Sequence, residues 1–167
     1  MRIEAVRGDI TQERVDAVVN AANNALRRGA GVCGAIFAAA GSRLDSACAA
    51  IGACATGDAV ATPGFELPAR WIVHTVGPVW HGGDRGEPAL LASCYRRSIE
   101  VARAERATTI AFPAISTGIF GYPPGAAARI AVATVRDAGG ALDVVRLVAF
   151  DEPTLQLYRE LLEDQSR

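Results

Sequence analysis

At 167 residues and 17.4 kDa, half of them hydrophobic and with a formal net charge of -1, the chain has the length for one well-cored domain, expected to span 1–167. These values exclude binding to nucleic acid through a broad basic surface, and no apolar run is long enough for a membrane span. All 17 basic residues are arginine, which removes Schiff-base and P-loop lysine chemistry.

In chain order, residues 2–7 alternate apolar and polar, and residues 15–19 form a compact β-branched run; both predict strands. Between them, Gly8-Asp9-Ile10-Thr11 places a carboxylate in a turn at a strand end. A polar segment from Asn20 to Arg28 leads into Gly29-Ala30-Gly31-Val32-Cys33-Gly34. A helix is then predicted over 32–41, ending at Gly41, and a second from Ser42, as N-cap, to about Ile51. Strands are predicted at Ala59–Pro63 and Trp71–Val76. A glycine-containing loop follows, then a helix over 88–105 with Leu90, Leu91, Cys94, Tyr95, Ile99 and Val101 at helical spacing.

Thr108–Pro113 is the next predicted strand, followed by a second glycine loop, Ser116-Thr117-Gly118-Ile119-Phe120-Gly121-Tyr122. Pro123 and Pro124 open a helix to about Ala138, as proline does in a first helical turn. Val144–Phe150 is the last strand and 152–163 the closing helix. Strands alternating with helices predict an α/β fold with a largely parallel sheet, whose ligands bind beyond the strand carboxyl ends. Both glycine loops lie between a strand and a helix. Together they predict one cleft with two anion-binding walls built from main-chain N–H groups.

The motifs exclude several chemistries. Gly29–Gly34 matches the pattern G-x-G-x-x-G in letters only, because a polar segment separates it from its strand and no acid closes a strand about twenty residues on. Cys33, Cys48, Cys54 and Cys94 form no Cys-x-x-Cys pair, and with only His74 and His81 beside them no structural metal site is expected. The thiols of Cys48, Cys54 and Cys94 read as reduced and buried, and His74, inside an apolar strand, as a satisfied core or rim histidine. No Gly-x-Ser-x-Gly elbow supports a serine hydrolase. No basic-then-apolar leader opens the chain, so a cytoplasmic location is expected.

Five collinear motifs, Gly8–Thr11, Val19–Asn23, Gly29–Val32, Ile72–Pro78 and Phe112–Pro123, resemble the macrodomain family and its MacroD-type branch over about residues 2–163. The resemblance implies a three-layer α/β/α sandwich around a six-stranded mixed, largely parallel sheet that binds ADP-ribose without a cofactor. It also implies roles for residues. Asp9 would accept from the adenine amino group, the Ile10 N–H would meet the ring, and Phe150 would pack on its face. Gly31, Val32, Ser116, Thr117, Gly118, Ile119 and Phe120 would cradle the diphosphate. Asn20 would bind the distal ribose, with Phe120 against that sugar.

The chain departs from the branch at two positions. Where the branch reads Gly-Val-Asp-Gly-Ala-Ile-His, this chain has Gly31-Val32-Cys33-Gly34-Ala35-Ile36-Phe37. The aspartate assigned to activating or positioning water is Cys33, and the histidine one turn later is Phe37. Main-chain donors are untouched, so ADP-ribose binding is expected to survive. For Cys33 three readings stand: an inert filler, a thiolate base or nucleophile, or a bystander at a catalytic site where the substrate's own phosphate oxygen is the base and Asn20 and the loops only position water. The expected activity is hydrolysis of the ester between ADP-ribose and protein Asp or Glu, extending to deacetylation of O-acetyl-ADP-ribose. The expected partners are ADP-ribose and ADP-ribosylated proteins. The alternative is a reader that binds ADP-ribose without turning it over.

Overall fold

Alternating side chains decide which way each strand faces, and here both faces are apolar. Ala17 and Val19 point to one side of their strand and Val18 to the other, all fully buried. A strand buried on both faces needs helices on both, which is the layered arrangement of a parallel sheet. The computed structural model describes residues 1–164; residues 165–167 of the expected domain lie outside the described residues.

Six strands form one sheet: β1 (Arg2–Arg7), β2 (Ala17–Ala21), β3 (Ala59–Pro63), β4 (Trp71–Thr75), β5 (Thr109–Phe112) and β6 (Val144–Ala149). Their spatial order is β1-β6-β5-β2-β4-β3. Every pairing is parallel except that of β3 with β4. The helices are α1 (Gly31–Ala40), α2 (Ser42–Ile51), α3 (Glu87–Ala104), α4 (Pro124–Ala138) and α5 (Glu152–Asp164). Helices α3, α4 and α5 cover one face through Leu91, Tyr95, Ile99, Ala131, Val135, Leu155 and Tyr158. Helices α1 and α2 cover the other through Ile36, Phe37, Leu44 and Cys48. This is the expected three-layer sandwich around a mixed, largely parallel sheet.

Two local expectations shift. Strand β2 starts and ends two residues later than the β-branched run 15–19 suggests. Asp16 is held out of the strand because its carboxylate accepts from the N–H groups of Thr108 (2.8 Å) and Thr109 (3.2 Å) at the start of β5. These bonds draw the carboxyl below its usual range against the opposing effect of partial burial. Likewise Gly41, at φ +90°, occupies the cap position before α2, and Ser42 is already helical. A side chain at position 41 would meet the carboxylate of Glu66, so a glycine fits where a serine cap was expected. No helix of the described residues is long and apolar enough to cross a membrane.

Candidate ligand cleft

The carboxyl ends of β1, β6, β5 and β2 converge on one cleft of about 1020 Å³. Each strand delivers its next residues to the rim: Gly8, Asp9 and Ile10 after β1, Phe150 and Asp151 after β6, Pro113 and Ala114 after β5, and Ala22 and Asn23 after β2. Gly29–Cys33 and Ser116–Phe120 form the facing walls, so the two glycine loops do enclose one cleft.

The first wall is the start of α1. Its cap residue, Ala30, makes no side-chain cap bond, and no acidic residue stands in the first turn. The opening N–H groups of the helix, with the positive end of its dipole, are therefore left for an anion. Gly31 has φ +60°, a left-handed conformation that favours glycine. A Cβ on Gly34 would stand 2.5 Å from the Gly29 carbonyl oxygen, so glycine is what lets the loop fold onto the helix.

The second wall curls on itself. Gly121 N–H donates to the Gly118 carbonyl (3.0 Å) and Tyr122 N–H to that of Ser116 (2.9 Å). Ser116 is held at φ +67°. Among the described residues, the N–H groups of Gly118, Ile119 and Phe120 have no partner in the protein. Outside this loop, Trp80 N–H donates to the Phe120 carbonyl (2.8 Å), and the Trp80 ring packs on Tyr122 with centroids 4.6 Å apart. Gly83 leaves room for that indole, because a Cβ there would stand 2.7 Å from it.

Buried Glu87 anchors this brace by accepting from the N–H groups of His81 (2.9 Å), Gly83 (2.9 Å) and Arg85 (2.7 Å). The His81 bond, followed by its companions, draws the Glu87 carboxyl down to about 2. Sequence reading missed this residue. Its signal was a glutamate opening a helix just after a glycine-rich loop.

Asp9 lies on the rim and caps a single 3-10 turn, Ile10–Gln12. One carboxylate oxygen accepts from both the N–H (2.9 Å) and the hydroxyl (2.7 Å) of Thr11. Ile10 lines the cleft floor at 4% exposure, whereas Phe150 and Ile119 stand 89% and 87% exposed on its edges. Of the expected contacts, Asp9, Ile10, Gly31, Val32, Ser116, Thr117, Gly118, Ile119, Phe120 and Phe150 all line the cleft, as does Cys33.

Asn20 does not. It is enclosed at 0% exposure beneath α1, where its amide lies 3.0 Å from His74 Nδ1 and 3.7 Å from Cys33 Sγ. The later end of β2 explains this. Position 20 is still inside the strand and faces the α1–α2 layer, and the residue that emerges on the rim is Asn23. The Asn23 amide is clamped to Arg27, donating to its carbonyl (2.8 Å) and accepting from its N–H (3.0 Å). Cys33 donates its thiol proton to the same carbonyl (3.7 Å). A Cβ on Gly29 would lie 3.5 Å from Asn23 Nδ2 and 3.6 Å from Cys33 Sγ, so these groups close the end of the cleft together.

All four cysteines are buried and free. Burial pushes the Cys48 and Cys54 thiols up to about 11, so both remain thiols. Among the described residues no cluster of His, Cys, Asp and Glu could hold a metal ion.

Residues 19–131 match the family model of the Macro domain. The chain is 53% identical to a macro domain-containing protein of Ralstonia nicotianae, over 97% of this chain and 95% of that one. It is 50% identical to the O-acetyl-ADP-ribose deacetylase of Salmonella newport, over 98% of this chain and 96% of the relative. Among solved structures, a mutant of the Oceanobacillus iheyensis macrodomain with ADPR superposes with a TM-score of 0.92 at 40% identity, covering 98% of this chain and 93% of that one. With the matched segment spanning both walls of the cleft, the chain belongs to the Macro domain family.

Proposed function

We propose that this protein binds ADP-ribose in the cleft and hydrolyses acyl esters carried on the distal ribose. Such esters occur in O-acetyl-ADP-ribose and in proteins modified on Asp or Glu. The observation that carries the reading is the order of chemistry along one groove. An exposed aromatic and a carboxylate (Phe150 and Asp9) stand at one end, unpaired main-chain donors from two loops in the middle, and Asn23 with Cys33 at the other. That order suits a base, a diphosphate and a sugar, and the similarity to the Salmonella deacetylase and to the macrodomain with ADPR supports it.

The groups at the distal end constrain the chemistry. Cys33 has a carbonyl and a carboxamide as its hydrogen-bond partners, and neither takes a proton from it. Phe37 is 1% exposed and offers no proton-transfer group. In this reading Asn23 and the loop N–H groups orient a water, and a phosphate oxygen of the substrate accepts its proton as it adds to the ester. The acyl–oxygen bond then breaks, releasing a carboxylate and leaving a free ribose hydroxyl. Losing a dedicated base typically slows a reaction by about 10²–10⁴-fold, so turnover is expected to be slow but real. The competing reading, a reader of ADP-ribosylated proteins without turnover, is favoured by the same two positions, Cys33 and Phe37.

Titration with ADP-ribose, followed by incubation with O-acetyl-ADP-ribose and with a glutamate-modified protein, tests both readings. Tight binding with release of acetate or of ADP-ribose supports the hydrolase, and tight binding with no release over hours supports the reader. Absence of ADP-ribose binding removes both.

A further inference from the structure

We infer that Thr11, which need not touch the ligand itself, sets the base selectivity of the cleft by locking the Asp9 carboxylate in one orientation. The inference rests on the ADP-ribose reading above. Asp9 is exposed on the rim, where a lone carboxylate could rotate and present either oxygen, or ordered water, to a purine edge. Rotation is prevented here. Thr11 is 5% exposed, and its N–H and hydroxyl both bind the same carboxylate oxygen, at 2.9 and 2.7 Å. Among the described residues the second oxygen has no partner in the protein.

The chain direction at this point is fixed as well. Gln12 N–H donates to the Asp9 carbonyl (3.0 Å), and Ile10, whose side chain is buried, opens the 3-10 turn with its own N–H free of protein partners. The rim therefore offers one fixed acceptor beside one fixed donor.

An adenine edge presents a donor, its exocyclic amine, beside an acceptor ring nitrogen, which complements that pair. A hypoxanthine edge presents the opposite order, an acceptor oxygen beside a ring N–H. A locked carboxylate rejects the second pattern, because turning to accommodate it would break both of its hydrogen bonds to the buried Thr11. A free carboxylate could swing aside and take either base. The Thr11 hydroxyl is the removable part of the lock, since the N–H remains with any residue except proline.

The experiment compares binding of ADP-ribose and of its hypoxanthine analogue, inosine diphosphate ribose, to the wild type, Thr11→Val and Thr11→Ser. The wild type is expected to prefer ADP-ribose. Thr11→Val should weaken ADP-ribose by about 10-fold and the hypoxanthine analogue far less, so that the preference shrinks. Thr11→Ser should restore it, because it returns the hydroxyl. If Thr11→Val weakens both ligands equally, or leaves their ratio at the wild-type value, Thr11 is a structural residue only and the inference fails. Wild-type protein that binds neither ligand would instead overturn the underlying ADP-ribose reading, an outcome visible before any variant is made.

Discussion

Asn20 and His74 are register partners on the parallel strands β2 and β4, and the Asn20 amide donates to His74 Nδ1 across 3.0 Å. That bond makes Nδ1 the acceptor, so the imidazole is neutral with its proton on Nε2. Nε2 in turn donates to Thr62 Oγ1 (3.0 Å), which donates to the Pro63 carbonyl (3.2 Å). The chain of donors runs one way and closes on main chain, with the ring fully buried. Burial depresses the histidine from 6.5 to about 4, because an imidazolium there would be poorly solvated.

This gives stability a pH dependence of defined sign. Between pH 6.5 and about 4 the unfolded chain takes up a proton that the folded protein refuses. The contribution of His74 is therefore complete above that window and is lost progressively as pH falls through it, by roughly 3 kcal/mol in all. Urea unfolding of the wild type and of His74→Gln across the window checks this. The wild type should lose stability more steeply than the variant, and parallel profiles would contradict the assignment.

The two asparagines of the Asn20-Ala21-Ala22-Asn23 segment should respond to alanine in opposite ways. Asn20→Ala leaves the His74 ring nitrogen without its donor in the core and should destabilise the fold by about 1–3 kcal/mol. Asn23→Ala removes a rim side chain bonded only to the Arg27 main chain, so it should leave stability nearly unchanged. If Asn23 orients the attacking water, the same change should lower ester hydrolysis by about 10²-fold while ADP-ribose binding falls much less. Thermal unfolding, calorimetric titration and single-turnover hydrolysis of both variants separate the effects. A catalytic loss confined to Asn20→Ala would return the distal ribose role to Asn20.

Most of the fold was legible because strands buried on both faces read as short β-branched runs, and glycine loops or prolines marked where α1, α3 and α4 began. The cleft walls were legible for the same reason, since the rim of a parallel sheet follows from strand direction. What misled was a boundary. Val15 and Asp16 read as the start of β2, yet the Asp16 carboxylate is tied to Thr108 and Thr109, more than ninety residues away. Local pattern carries no trace of such a partner. With β2 ending at Ala21 rather than Val19, Asn20, whose role came from the resemblance, stays inside the strand, and Asn23 is the asparagine that reaches the rim. Glu87 was missed on similar grounds, because its three N–H donors converge only once the 81–86 loop has closed.

Cys33 and its carbonyl partner make a further pair of substitutions informative. Cys33→Ala removes a thiol whose proton is already committed to Arg27, so hydrolysis should stay within about twofold of wild type, as expected of a group that takes no part in proton transfer. Cys33→Asp is different in kind. A carboxylate cannot donate to that carbonyl and is repelled by it, so it should turn toward the cleft, where it could act as a base toward water. The hydrolytic rate should then rise by about 10²-fold or more. Rate measurements on the two variants decide the matter: a large loss in Cys33→Ala would establish thiol chemistry, and no gain in Cys33→Asp would show that water activation does not limit the reaction.

Phe150 offers the test least entangled with folding. It follows the last residue of β6 and stands 89% exposed on the cleft edge, so its ring contributes little to the core. A large apolar ring left in water beside a groove gains most of its burial only when a flat ligand covers it. Phe150→Ala should therefore leave thermal stability within about 0.5 kcal/mol of wild type. Loss of an aromatic stacking partner for the base is worth about 1–3 kcal/mol, so ADP-ribose affinity should fall by roughly 10–100-fold. ADP lacks the distal ribose but keeps the base, and its affinity should fall by the same factor, while ribose 5-phosphate, which has no base, should be indifferent to the change. Equal loss for all three ligands would mean that Phe150 shapes the cleft as a whole, and an unchanged affinity for ADP-ribose would place the adenine away from this ring.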